Sequence, residues 1–269
     1  MDPLEIGLRR VAATDRLLVA SDFDGTLAGI VDHPDAVTPD RPAVAALQEL
    51  AELPATWVAV LSGRSRAVLE EHLGHAGLAL VGSHGAELQG IELGGMNFDG
   101  DLPDGPGAAA DPELIRRTLD EAATALDDLA NEYEGALVER KPTAVAFHYR
   151  KVDPSRQNEA AARAAALADG SDLLRIQPGH MVIELVSGRV NKGDALDTLR
   201  RALDPTATVF VGDDRTDEHA FARLGPGDLA VKIGPGDTCA PVRIASQSDV
   251  APLFRRLRTL RAVRAIPTP

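Results

Sequence analysis

Short runs of apolar, β-favouring residues recur along this chain: LLVASDF ending at Phe23, WVAVLSG at 57–63, LALVGS at 78–83, TVFVGDD at 208–214 and LAVKIG at 229–234. Stretches with helical spacing separate them, at 42–53, 65–73, 192–203 and 217–224. Runs that are apolar at consecutive positions, rather than alternate ones, suit strands covered on both faces. Strands joined through helices run parallel, because a crossover returns the chain to the same edge. An α/β fold with a parallel sheet follows, and such sheets bind ligands at the carboxyl ends of their strands. Polar residues stand at those ends: Asp22 and Asp24, then Ser62, then Ser83 and His84, then Asp213 and Asp214.

The middle of the chain breaks this rhythm. Residues 94–107 are rich in Gly, Asp and Pro and read as a linker. After them come a helical stretch at 112–133, two strands within 135–151 around Lys141-Pro142-Thr143, an Ala-rich helix at 154–168, and two strands within 173–188 turning at Pro178-Gly179. This α-β-β-α-β-β pattern is antiparallel in character. It predicts a smaller α+β domain at 100–188 inserted into a larger one formed by 1–99 and 189–269. A last helix at 253–264 sets Leu253, Leu257 and Leu260 against the core and carries Arg255, Arg256, Arg258, Arg261 and Arg264.

Composition narrows the possible partners. A formal net charge of −13 argues against nucleic acid or an anionic membrane, and 3% aromatic residues leave little for base stacking. One cysteine, Cys239, excludes an intrachain disulfide framework. No apolar run reaches membrane-spanning length and residues 1–10 lack a signal-peptide core, so a cytoplasmic protein is expected.

Two carboxylates at the end of a buried strand, in DFDGT, repel each other unless a positive charge arrives. Asp22 is placed to attack phosphorus as a nucleophile, and Asp24 to protonate a departing oxygen and then activate water. Taken alone, the same residues also fit an Asx-type turn. Asp213, Asp214 and Asp217 add carboxylates from a second strand end, giving an oxygen-rich site suited to Mg²⁺. Lys192, in VNKGDAL, supplies an ammonium, and Ser62, in VLSGR, a hydroxyl at a helix start.

DFDGT, LSGR, NKG and GDDRTDE, in that order, resemble the four motifs of the haloacid-dehalogenase-like phosphatases, and the insert resembles the cap of that superfamily. VGSHGAE at 81–87, VERKPTAVAFHYR at 138–150, MVIELVSGRVNKGDAL at 181–196 and VGDDRTDEHAF at 211–221 resemble the trehalose-6-phosphate phosphatases. That likeness implies a Rossmann-like core with an inserted cap. It implies Mg²⁺-dependent hydrolysis of trehalose 6-phosphate to trehalose and phosphate, the last step of trehalose biosynthesis, through an aspartyl-phosphate. Asp22, Asp24, Ser62 and Lys192 would be catalytic. The Asp22 carboxylate, the Asp24 carbonyl and Asp213 would bind the metal, supported by Asp214 and Asp217. Lys141, His148, Arg150 and Glu184 would contact the sugar, with Arg64, His84 and Glu87 nearby. A small sugar phosphate would be the partner, with no obligate protein partner. Sucrose 6-phosphate and glycosyl-phosphoglycerates stay open as substrates of the same chemistry, as does a silent sugar-phosphate sensor.

Overall fold

The computed structural model describes residues 2–31, 37–74, 77–88, 92–93, 96–97, 112–141, 143–171, 173–187 and 191–264. The chain divides into two compact units: Met1–Gly100 with Asn191–Pro269, and Asp101–Val190.

The first unit is built on a six-stranded sheet. Its strands are β1 (Leu17–Ser21), β2 (Thr56–Leu61), β3 (Leu78–Val81), β10 (Ala207–Gly212), β11 (Leu229–Ile233) and β12 (Val242–Ile244). They are all parallel, in the order β12-β11-β10-β1-β2-β3. Every residue of β1 and of β10 is buried, as a strand covered on both faces requires. The order reverses at β1, which pairs β2 on one side and β10 on the other, so the crevice at their carboxyl ends is the switch point where such sheets bind ligands. A two-stranded pair, β4 (Glu92–Leu93) and β5 (Met96–Asn97), hangs from this unit.

Helices α1 (Pro3–Ala12), α2 (Arg41–Ala51), α3 (Arg66–Leu73), α6 (Lys192–Leu203), α7 (Glu218–Phe221) and α8 (Val250–Arg264) belong to the same unit. Their starts follow from local chemistry. Asp2 and Asp40 cap α1 and α2 by accepting from Leu4 and Ala43 amides, each with a proline in the first turn. Asn191 and Asp194 form a reciprocal capping box at α6.

The second unit is an antiparallel sheet of β6 (Leu137–Lys141), β7 (Ala144–His148), β8 (Leu174–Gly179) and β9 (Val182–Ser187), ordered β6-β7-β9-β8, with helices α4 (Pro112–Asn131) and α5 (Gln157–Ala166). Its own core joins Leu126, Tyr133, Val145, Phe147, Ala160, Ile183 and Leu185. These inward residues alternate along β7 and β9 with Ala144, Ala146, His148, Glu184 and Val186 on the opposite face.

Several expectations need correction. The turn between β8 and β9 lies at His180-Met181, with Met181 at φ +64°, and Pro178-Gly179 stays in strand. Proline fits there because β8 is an edge strand and needs no inward amide at every position. The expected linker at 94–107 lies outside the described residues except for Met96–Asn97, which is strand β5. Pro142, in the expected turn of the first hairpin, also lies outside them. Helix α1 and strand β12 were not anticipated. Among the described residues no helix is long and apolar enough to cross a membrane.

Candidate active site

Asp22 follows β1 and Asp213 follows β10, so two adjacent parallel strands deliver their carboxylates to one crevice. One carboxylate oxygen each from Asp22, Asp213 and Asp217 lie within 4.8 Å of one another. Gly25, at φ +82°, lets the chain turn away at once; a Cβ there would lie 2.0 Å from Asp213 Oδ2. The DFDGT glycine is thus required by the approach of a second strand's carboxylate.

Lys192 is the first residue of α6, where the helix dipole disfavours a cation. Its side chain is buried and donates to Asp22 Oδ1 at 2.5 Å and Asp217 Oδ1 at 2.7 Å. Burial alone would lower its pKa, but the two carboxylates reverse this and hold the ammonium protonated. Asp217 is fully engaged: its other oxygen accepts the Asp213 and Asp214 amides, both at 2.9 Å. It therefore shapes the turn that carries Asp213. Asp214 is exposed and accepts from the Arg215 amide at 2.7 Å.

Two buried oxygens are left over. Among the described residues, Asp22 Oδ2 and Asp213 Oδ1 have no hydrogen-bond partner. Orphaned carboxylate oxygens are costly unless something positive sits between them. Burial, then Asp217 and other neighbouring carboxylates, raises Asp22 well above the usual range against the pull of Lys192. Burial first and Asp217 second push Asp213 up to about 7. A pair of hard oxygen donors with excess negative charge fits a divalent cation such as Mg²⁺.

This arrangement sets a pH dependence. The folded pKa of Asp213, about 7, exceeds its unfolded value of 3.8, so the cation-free fold binds an extra proton between those limits. The stability contribution is fully present below the unfolded value and is lost as pH rises through the folded one. Cation-free protein should therefore be more stable at pH 5.5 than at pH 7.5. Asp213→Asn should reduce the difference, with Asp22 supplying what remains, and Mg²⁺ affinity should fall at least about tenfold per pH unit below the folded pKa. Thermal unfolding with a chelator, and calorimetry with Mg²⁺, would show it; a cation-free stability that rises from pH 5.5 to 7.5 would refute it.

The remaining expected residues of the first unit surround this crevice from the β2 and β3 ends. Ser62 is buried; its hydroxyl oxygen accepts the Arg64 amide at 3.1 Å and its own amide donates to Val81. Arg64 grips the Asp24 carboxylate, with Nη2 2.7 Å from Oδ1 and Nε 2.8 Å from Oδ2, and lies over the Phe23 ring. The Asp24 side chain is thereby turned to Arg64. His84 is buried against Gly63, where a Cβ would come within 2.5 Å of its ring. Glu87 accepts from the Ser83 hydroxyl and the Arg66 amide.

In the second unit, Lys141 and Glu184 form an ion pair on the sheet face opposite the helices. His148 Nε2 meets Glu139 Oε2 at 2.9 Å on that same face, which holds the Glu139 carboxyl below its usual range against the effect of burial. Ala144 pairs across the strands with Lys141, and Ala146 with Glu139 and Glu184, so small side chains separate these polar groups. Arg150 follows β7 and bonds the His180 carbonyl at 3.3 Å.

One residue escaped the sequence reading. Lys232, a lysine within the apolar run of β11, is 4% exposed and donates to the carbonyls of Asp213 and Ile233. The available signal was a single cation inside LAVKI, a strand buried along its whole length.

Comparison with known proteins places the chain in a family. The trehalose-phosphatase family model matches residues 20–254. A trehalose-phosphate phosphatase of Mycobacterium marinum is 39% identical over 258 residues, covering 90% of this chain and 61% of that protein. A bifunctional trehalose-6-phosphate synthase/phosphatase of Thermoproteus tenax is 32% identical, covering 92% of this chain and 32% of its own length. The C-terminal domain of a C. albicans trehalose-6-phosphate phosphatase superimposes with a TM-score of 0.77 at 22% identity, covering 96% of this chain and 97% of that one, and shows the shared fold. The chain spans 61% of the length of each of the two mycobacterial relatives it matches first. With the family model covering most of its length, the chain belongs to the trehalose-phosphatase family.

Proposed function

We propose that this chain is a Mg²⁺-dependent phosphatase that hydrolyses trehalose 6-phosphate through an aspartyl-phosphate on Asp22. The observation that carries this reading is the pair of buried, partnerless oxygens, Asp22 Oδ2 and Asp213 Oδ1, at the ends of adjacent strands. Asp22 and Asp213 would hold the metal, whose charge offsets the repulsion between Asp22 and a phosphate dianion.

In this reading Asp22 attacks phosphorus, and the bond to the sugar oxygen breaks as Asp24 protonates that oxygen. Asp24 then takes a proton from water, which attacks the same phosphorus and returns Asp22 as a carboxylate. Lys192 neutralises phosphoryl oxygens and holds Asp22 aligned, while the Ser62 hydroxyl donates to a phosphoryl oxygen. Asp24 can act as an acid only after leaving Arg64 and gaining a proton, so the bidentate pair describes the state before the chemistry begins. The polar face carrying Lys141, His148 and Glu184, with Arg150 beside it, is the sugar-reading surface.

Phosphate release from trehalose 6-phosphate, sucrose 6-phosphate, glucose 6-phosphate and a glucosyl phosphoglycerate, with and without Mg²⁺, tests the reading. A metal-dependent preference for the first supports it. Equal turnover of all four would remove the sugar assignment, and no release from any would remove the enzyme. Glu184→Gln should weaken kcat/KM for trehalose 6-phosphate about 10- to 100-fold, the loss of a charged hydrogen bond, and at least tenfold more than for an aryl phosphate. Equal losses on both substrates would show that Glu184 does not read the sugar.

A further inference from the structure

The loop after β3 holds an unusual backbone. Ser83 and His84, two consecutive non-glycine residues, sit in the left-handed region at φ +50° and +56°. L-residues avoid that region, and a run of two persists only where neighbours fix it. Four of the contacts that fix it run to the turn after β2 or to Glu87. The Ser83 amide donates to the Arg64 carbonyl and the His84 amide to the Ser62 carbonyl, both at 2.8 Å. Glu87 closes the ring: Oε1 accepts the Ser83 hydroxyl and Oε2 accepts the Arg66 amide, both at 2.5 Å. Gly82 makes room, since a Cβ there would come within 2.3 Å of the Arg66 nitrogen and 2.7 Å of Glu87 Oε2.

We infer that Glu87 is a positioning residue for the phosphate pocket, clamping the Ser62–Arg66 turn through Ser83, and does not contact the sugar. The Arg66 amide can only donate, so Oε2 must accept there, while Oε1 takes the Ser83 hydroxyl in a charge-assisted hydrogen bond. A glutamine can keep its carbonyl on the Arg66 amide, but it exchanges the charge-assisted bond from the Ser83 hydroxyl for a weaker neutral one. The clamp holds the backbone from which Ser62 reaches the phosphate and Arg64 reaches Asp24, and it also caps the first turn of α3. This inference rests on the proposed phosphatase reading, whose Ser62 contact it supports.

The test compares Ser83→Ala and Glu87→Gln with wild type on p-nitrophenyl phosphate and trehalose 6-phosphate, and measures inhibition by inorganic phosphate. Glu87→Gln should raise the phosphate inhibition constant about tenfold, and Ser83→Ala about threefold. kcat/KM should fall by the same factor, within about twofold, on both substrates. A loss confined to trehalose 6-phosphate, or an unchanged phosphate constant, would overturn the inference. If Glu87→Gln fails to fold, Ser83→Ala, which removes only the hydroxyl arm, decides alone. If wild type hydrolyses neither ester, the phosphatase reading fails separately, and calorimetric binding of inorganic phosphate still reads the clamp.

Discussion

Asp22→Asn should reduce phosphate release from any ester by at least about 10⁴-fold while leaving the fold as stable as wild type or more so. The two halves of that result have different causes. An amide cannot attack phosphorus, so the proposed covalent step would be lost outright. The stability follows from charge. Asp22 shares its buried crevice with Asp213 and Asp217, and burial with those neighbours already raises its pKa. Removing one of three clustered carboxylates relieves repulsion, and Lys192 retains Asp217 at 2.7 Å. Single-turnover phosphate release and thermal unfolding of the chelated protein measure both. Residual turnover within about a hundredfold of wild type would place the nucleophile elsewhere. A large drop in unfolding temperature would mean that Asp22 supports the fold in a way its contacts do not reveal.

The second large effect lies far from the chemistry. Arg261 of α8 is 4% exposed, and its guanidinium is a rivet. It donates to the carbonyls of Ala12, Thr14, Asp15 and Ala55 and to the Thr56 hydroxyl. One planar group therefore fastens the last helix to the end of α1, the entry to β1 and the start of β2. Arg261→Met keeps much of the apolar stem but leaves several buried carbonyls without donors, a loss of about 4 kcal/mol. Arg261→Lys should lose roughly half as much, because an ammonium has fewer donors and no fork. Urea unfolding would measure both, and a loss below about 1 kcal/mol for Arg261→Met would show that the carbonyls find water instead.

The parallel sheet was legible because its evidence is local: LLVAS and ATVFVG are largely apolar runs, and carboxylates follow their ends. The acidic site was legible for the same reason, since Asp22, Asp213 and Lys192 each follow or open a recognisable element. What escaped depends on partners distant in sequence. In sequence Arg261 looks like the other arginines of α8, because carbonyl acceptors carry no side-chain signature. Lys232 likewise serves a backbone carbonyl, that of Asp213. The two donors that meet the Glu87 oxygens, the Ser83 hydroxyl and the Arg66 amide, are brought together by the turn at Ser83-His84, which no local pattern announces. Strand β12 was missed because three residues carry too little pattern to separate from a loop.

The position of β1 at the centre of the sheet has a consequence for biogenesis. Its neighbour on one side, β2, follows within the same half of the chain, but its other neighbour, β10, begins only at Ala207. A ribosome adding about 5–20 residues per second exposes Leu17–Ser21 roughly ten to forty seconds before that second partner exists. Throughout that interval the nascent chain presents an unpaired, largely apolar parallel edge, the kind of surface that chaperones cover and that aggregates grow from. Asp22 and Asp213 cannot meet until this edge is closed, so the approach of these two carboxylates marks the pairing of β10 with β1.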